Sequence, residues 1–180
     1  MIVERIEELV EALKEYKRVV IIGYPKSGKT TLAKHLIEHT TEHKLIADEN
    51  YREYSYEEGM YRMLDDCVAH LKENKTNKVI LEGCLCYRLL RKGLEKNLFL
   101  PDLVIDIKLD RAEMIERYGA EIKSETDINR RIGFAKGLEK ILYEFKASIS
   151  IHKFDKRVIF AQINGGKLGP IKELIHGNRQ

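Results

Sequence analysis

Eight consecutive residues, Gly23-Tyr24-Pro25-Lys26-Ser27-Gly28-Lys29-Thr30, fit the pattern G-x-x-x-x-G-K-[ST], a spacing that specifies triphosphate binding. Gly23 and Gly28 allow backbone conformations and close approaches that a side chain would block. The loop N–H groups, with the positive end of the helix that follows, form a cradle for anionic oxygens. The set expected to hold ATP is Gly23, Pro25, Lys26, Ser27, Gly28, Lys29, Thr30 and Thr31. Within it Lys29 places a point charge on the β and γ phosphates, and the Thr30 hydroxyl is a ligand for Mg²⁺. Pro25 stiffens the loop and has no N–H to give. The flanks suit the motif. Val19–Ile22 is an apolar, largely β-branched run of the kind found in a strand buried on both faces, and Leu32, Ala33, Leu36 and Ile37 share one helical stripe.

In an open parallel sheet a ligand sits beyond the carboxyl ends of the strands, so strand tips are where further chemistry is expected. A second strand, Lys44–Ala47, runs into Asp48, and a third, Asn77–Glu82, ends on Glu82. Two carboxylates beside one triphosphate repel it unless a cation lies between, or unless one of them takes a proton. Both uses suit phosphoryl transfer. Asp48 is assigned as the base for an acceptor hydroxyl and Glu82 as a ligand to Mg²⁺ or its water, and the reverse assignment stays open. A plainer role for Asp48, as a turn or helix-cap aspartate, also stays open. A charge that closes the apolar run Val79-Ile80-Leu81 and precedes Gly83 is harder to read as surface.

Positioning these groups takes parallel strands with helices between them. Ile2, Val3, Ile6, Leu9, Val10 and Leu13 recur at three- and four-residue steps, which predicts an amphipathic helix over 2–16. Ser55 with Glu58 reads as a capping box for a helix to about Glu73 that buries Met60, Leu64, Cys67, Val68 and Leu71. Leu103–Leu109 is a fourth strand, and Asp110 with Glu113 caps a helix to about Tyr118. Residues 119–137 are charged and glycine-punctuated and pass into a helix ending near Phe145. Val158–Ile163 is a fifth strand, after which Asn164-Gly165-Gly166 turns into a short helix near Ile171–Ile175. The expected class is α/β, with a five-stranded parallel sheet, helices on both faces and an added N-terminal helix, in one domain spanning 1–180.

Composition sets broader bounds. A chain of 180 residues buries a core without disulfides or a structural metal. Thirty-two Lys and Arg against 29 Asp and Glu leave a net charge of +3, which permits an anionic substrate without demanding a nucleic acid. Cys67, Cys84 and Cys86 suit a reducing compartment, the N-terminus is too acidic for a secretory signal, and no apolar run reaches membrane-spanning length. The expectation is a cytoplasmic protein with no membrane partner, as a monomer or homodimer. The spacing of those cysteines with His70 misses the known zinc patterns. His35, His39 and His43 recur by four and read as a solvated face, and Gly165, Gly166 and Gly169 suggest a turn beside an adenine pocket by fold analogy.

The chain resembles the P-loop kinases, closest to the uridine-kinase-like nucleoside kinases. The resemblance spans roughly residues 17–163 and is carried by the phosphate loop, by Asp48 with Tyr51 nearby, and by Val79-Ile80-Leu81-Glu82-Gly83. It implies the P-loop NTPase/kinase fold and a helical, arginine-bearing lid after the fourth strand, placed at about 119–137, where this chain carries Lys123, Arg130, Arg131 and Lys136. An arginine closing over the transferred phosphoryl group is worth about 10³-fold or more, and closure excludes water. Arg130 and Arg131 are therefore added to Lys29 and Asp48 as catalytic candidates. Adjacent helical residues point about 100° apart, so one of the pair reaches the site while its neighbour faces solvent. Arg111 and Arg117 read as salt-bridging on their helix. The segment Glu49-Asn50-Tyr51-Arg52 departs from the nucleoside-kinase arrangement and is similar to that of polynucleotide kinases.

Tyr51, Tyr54, Tyr56 and Tyr61 cluster where an acceptor enters. Their rings suit base stacking, and Arg52 suits a phosphate or carbonyl, so Tyr51, Arg52, Tyr54 and Glu82 form the expected acceptor-binding set. Packing of several of these rings against the sheet is the alternative. The expected activity is transfer of the ATP γ-phosphate, with Mg²⁺, to a hydroxyl of a nucleoside- or nucleotide-like small molecule. Two alternatives remain: a kinase acting on a 5′-hydroxyl or hydroxymethylated base within DNA, and a regulatory NTPase that transfers to water.

Overall fold

The computed structural model of the chain describes residues 1–73, 75–154 and 157–166. The strands are β1 (Ile2–Val3), β2 (Arg18–Gly23), β3 (Lys44–Ala47), β4 (Val79–Glu82), β5 (Leu103–Lys108) and β6 (Ile159–Asn164). They form a parallel sheet in the order β1-β6-β5-β2-β4-β3, so β2 lies between β5 and β4. Because successive side chains alternate faces, Val19 and Ile21 pack on one side of β2 and Val20 and Ile22 on the other. Parallel neighbours need crossover connections, which the helices provide. Helices α1 (Ile6–Glu15) and α2 (Lys29–Glu38) pack with Val19, Ile21, Ile80 and Ile105. Helices α3 (Tyr56–Glu73), α4 (Leu85–Glu95) and α6 (Glu125–Ile151) pack with Val20, Ile22, Leu81 and Val104. The short α5 (Arg111–Tyr118) follows β5 and buries Met114 and Tyr118.

The sheet thus has six strands among the described residues, where the sequence predicted five. The added strand is Ile2–Val3, which the sequence reading placed in the N-terminal helix. Ile2 and Val3 instead pair with Gln162 and Ile163 and cover the outer edge of β6, and Gln162 N–H donates to the Met1 carbonyl at 2.9 Å. Two residues are too few to show an alternation of their own, and their positions match a helical step from Ile6 by coincidence. The helix itself opens only at Ile6, with Arg5 N–H donating to Glu8 Oε1 at 3.2 Å.

Two further differences bear on the site. Helix α4 had no counterpart in the sequence reading, although Cys86, Leu89, Leu90 and Gly93 are buried at helical spacing. Residues 119–137 comprise a 3₁₀ turn (Gly119–Glu121) and the first half of α6, which continues unbroken through Gly133 and Gly137 to Ile151 rather than ending near Phe145. The segment near Ile171–Ile175, predicted helical, and Gly169 lie outside the described residues.

Local signals elsewhere act as read. Glu58 N–H donates to Ser55 Oγ at 3.2 Å before α3, and Glu113 N–H donates to Asp110 Oδ1 at 2.8 Å at the start of α5. Replacing Asp110 by alanine is expected to remove about 1 kcal/mol of stability. In a chain of this size that lowers the melting temperature by about 2–4 °C, measurable by circular dichroism.

Candidate active site

The register of the sheet brings the predicted residues to one edge. Glu82 pairs with Ile21 on one side and Ala47 on the other, so it lies just before the phosphate loop in one direction and beside Asp48 in the other. The loop folds back on the Tyr24 carbonyl, which accepts from Ser27 N–H at 3.0 Å and from Lys29 Nζ at 2.8 Å. Gly28, at φ 97°, occupies the left-handed region that a side chain disfavours and precedes α2. Ser27 and Lys29 are buried.

Glu82 is fully buried, and its two oxygens differ. Oε1 accepts from the Thr30 hydroxyl at 3.1 Å, while Oε2 has no hydrogen-bond partner among the described residues. Burial raises the Glu82 carboxyl above its ordinary range and the neighbouring Asp48 charge adds to this, while the Thr30 hydroxyl and Lys29 draw it down. A buried carboxylate oxygen without a donor, next to a hydroxyl, suits a hard cation. Mg²⁺ takes one or two protein oxygens and completes its shell from water and phosphate, so Thr30 and Glu82 fit that ion.

Asp48 opens a 3₁₀ turn (Asp48–Tyr51) after β3. Its Oδ2 accepts from Cys84 N–H at 2.6 Å and Leu85 N–H at 3.4 Å, so it caps the start of α4. Gly83 makes room for this. At φ +130° it adopts a conformation L side chains avoid, and a Cβ there would stand 2.0 Å from Asp48 Cγ. The helix-cap role left open by the sequence is therefore present. Asp48 nonetheless lines a cleft of about 490 Å³ together with Pro25, Lys26, Lys29 and Thr30 of the loop.

The same cleft is lined by Tyr51, Arg52 and Tyr54 of the set assigned to an acceptor, and also by Tyr56 and Cys84. The tyrosines present rings rather than hydroxyls: Tyr51 donates to Asp66 at 2.6 Å and Tyr56 to the Cys84 carbonyl at 2.8 Å. Arg62 stacks over Tyr54, 4.1 Å from the ring centroid. Arg52 is exposed and forms no ion pair among the described residues. Tyr61 lies apart from the cleft, beneath Lys96. Gly23 sits below the loop at the end of β2, and Thr31 lies on α2 behind it.

The two arginines of α6 diverge. Arg130 is exposed and pairs with Asp127 at 3.0 Å, away from the cleft. Arg131 is half-buried, stacks 3.8 Å above the Tyr118 ring and pairs with Glu121 at 3.6 Å. Glu121 also pairs with Lys26 of the loop. Arg117, expected to bridge along its own helix, does so with Glu113 at 3.0 Å but also donates to the Lys26 carbonyl at 3.1 Å and the Gly165 carbonyl at 2.8 Å. His43 differs from the solvated reading: it is buried, with Nε2 2.9 Å from the Tyr16 carbonyl, while the rings of His35 on α2 and His39 at its end lie tilted, 4.5 Å between centroids.

A cluster the sequence reading missed lies on the other side of the loop. Asp106 of β5 is buried and pairs with Lys108 at 2.9 Å. Lys108 donates to Glu139 of α6 at 2.6 Å, and the Tyr24 hydroxyl donates to the same Glu139 oxygen at 3.0 Å. Burial, with the Glu139 charge next, pushes the Tyr24 hydroxyl up to about 12. Burial also raises Asp106. The signal for it in the sequence is a carboxylate inside the otherwise apolar run Leu103–Ile107, away from any strand tip.

The family model AAA_18, described as an AAA domain, matches residues 19–136. No curated protein matches the sequence. Among solved structures, the tunicamycin resistance protein of Deinococcus radiodurans is similar over 89% of this chain and 92% of its own, at 15% identity and a TM-score of 0.52. Thymidylate kinase from Candida albicans aligns over 91% of this chain and 93% of its own, at 14% identity and a TM-score of 0.46. The first likeness is one of fold, the parallel α/β architecture with helices on both faces.

Proposed function

This chain belongs to the AAA_18 family of AAA domains, and from that premise we propose that it is an ATP- and Mg²⁺-dependent kinase phosphorylating a hydroxyl of a nucleoside- or nucleotide-like acceptor. The observation that carries the reading is the division of labour between two carboxylates at adjacent strand ends. Glu82 is buried against Thr30 with one oxygen lacking a donor among the described residues, and Asp48 faces a cleft large enough for a second substrate.

The proposed step follows from that arrangement. Loop amides and Lys29 hold the triphosphate, and Thr30 and Glu82 would hold Mg²⁺, which would offset phosphate charge. An acceptor hydroxyl lying against Asp48 attacks the γ-phosphorus. Its O–P bond forms as the bond to the β–γ bridging oxygen breaks, ADP departs, and Asp48 takes the hydroxyl proton. Tyrosine rings of the cleft stack on a flat acceptor, and Arg52 supplies a cation for its polar end. Residues 119–137 act as a lid. Within it Arg131, on the loop side of α6, is the better placed of the arginine pair to meet the transferred group.

A specific feature favours a second reading, a kinase acting on DNA. Tyr56 lines both the cleft and an adjoining groove of about 340 Å³ with Arg88 and Phe134, which offers space for an acceptor longer than one nucleoside. Transfer from γ-labelled ATP to a panel of nucleosides, nucleotides and single- and double-stranded oligonucleotides tests both. Label on a free nucleoside or nucleotide supports the first reading. Label on oligonucleotides alone, with salt-sensitive binding, supports the second. Phosphate released to water at a rate indifferent to any acceptor refutes both.

A further inference from the structure

Tyr24 holds two parts of the molecule at once. Its carbonyl accepts from Lys29 Nζ at 2.8 Å and Ser27 N–H at 3.0 Å, so the turn of the loop and the direction of its lysine depend on where that carbonyl stands. Its hydroxyl, at the other end of a rigid ring, donates to Glu139 Oε1 at 3.0 Å. Glu139 is itself held by Lys108 at 2.6 Å, and Lys108 by the buried Asp106 at 2.9 Å. Burial pulls the Lys108 ammonium down, but its bonds to Glu139 and Asp106 outweigh this and raise it, so the cation persists between the two carboxylates.

We propose that Glu139 is a positioning residue for nucleotide binding: by holding the Tyr24 hydroxyl it fixes the carbonyl that orients Lys29, and so joins the phosphate loop to α6. The inference rests on the reading of the loop as a triphosphate site and adds a contact outside the motif. Its geometric basis is that no side chain of the loop other than Tyr24 bonds to the core of α6 among the described residues, and that Glu139 lies two turns beyond Arg131 on the same helix. A shift of the loop on engaging phosphate is thereby passed to the arginine-bearing end of α6, and the reverse holds by linkage.

The test is equilibrium binding of MgATP by calorimetry to the full chain and to Tyr24→Phe, Glu139→Ala, Glu139→Gln and the double variant Tyr24→Phe/Glu139→Ala. Tyr24→Phe removes one oxygen and keeps the ring in place. Either Tyr24→Phe or Glu139→Ala is expected to weaken ATP about 3- to 10-fold, the loss of one hydrogen bond. The double variant is expected to bind no more weakly than the poorer single one. Glu139→Gln is expected to recover most of the affinity, because its amide oxygen still accepts from Tyr24, a rescue that general loosening of the helix would not give. Unchanged affinity in both single variants, or fully additive losses, overturns the inference and leaves the proposed function standing. Absence of MgATP binding by the unaltered chain overturns both.

Discussion

Asp48→Asn is expected to slow phosphoryl transfer by about 10²- to 10⁴-fold, the range attached to a positioned general base, while MgATP binding persists. Asparagine keeps an oxygen for the Cys84 and Leu85 amides, now met at 2.6 and 3.4 Å, so the cap on α4 survives and only the proton acceptor is lost. The variant therefore separates two roles held by one side chain. Single-turnover transfer read beside thermal stability decides between them. An unchanged transfer rate with an unchanged melting temperature reduces Asp48 to a cap. Gly83→Ala approaches the same point from the other side. Its new Cβ would meet Asp48 Cγ at 2.0 Å in a backbone conformation at φ +130°, so the carboxylate must leave its amides. Loss of transfer together with loss of stability is expected there.

Lys29→Ala is expected to remove transfer almost entirely, by at least about 10²- to 10³-fold, as for other charge-stabilising donors. The fold should tolerate the change. Lys29 is buried, but the Tyr24 carbonyl to which it donates keeps its bond from Ser27 N–H at 3.0 Å. Steady-state transfer rates and calorimetric MgATP affinity measured on one preparation provide the check, and near-normal turnover in this variant would refute the nucleotide assignment.

What was legible in advance follows from how far each signal reaches along the chain. The phosphate loop, the tips of β3 and β4 and the caps at Ser55 and Asp110 are local patterns, and each lies within a residue or two of its expected place. The strand at Ile2–Val3 was not legible because its cause is the bare edge of β6, some 160 positions away. Helix α4 was missed although its apolar spacing was visible. The amides that begin α4 are satisfied by Asp48, just past a different strand, rather than by a neighbouring cap, so no start signal stands beside the helix in the sequence. In α6, Gly133 and Gly137 read as punctuation, yet buried Leu138, Leu142, Phe145 and Ile149 carry the helix past them. Within the site, residue types pointed to chemistry and the direction of side chains did not follow. Tyr51 and Tyr56 turn their hydroxyls into the protein, Tyr61 faces elsewhere, and only one arginine of the adjacent pair approaches the loop.

The long α6 is uneven along its length. Its 27 residues extend about 40 Å, but the fully buried positions begin at Ala135, and the turns before it bury Ile128, Arg131 and Ile132 only in part. Those turns include Gly133, which costs about 1 kcal/mol relative to alanine in a helix, and short helical stretches are marginal in water without such burial. Fraying from the Ser124 end is thus the least demanding local opening of the rod, and it stops where the buried row starts. The guanidinium of Arg131, proposed above to meet the transferred group, lies in these outer turns, where it is held by the Tyr118 ring and by Glu121. Substrate could then come and go at the speed of a helix end unwinding rather than that of a domain swinging.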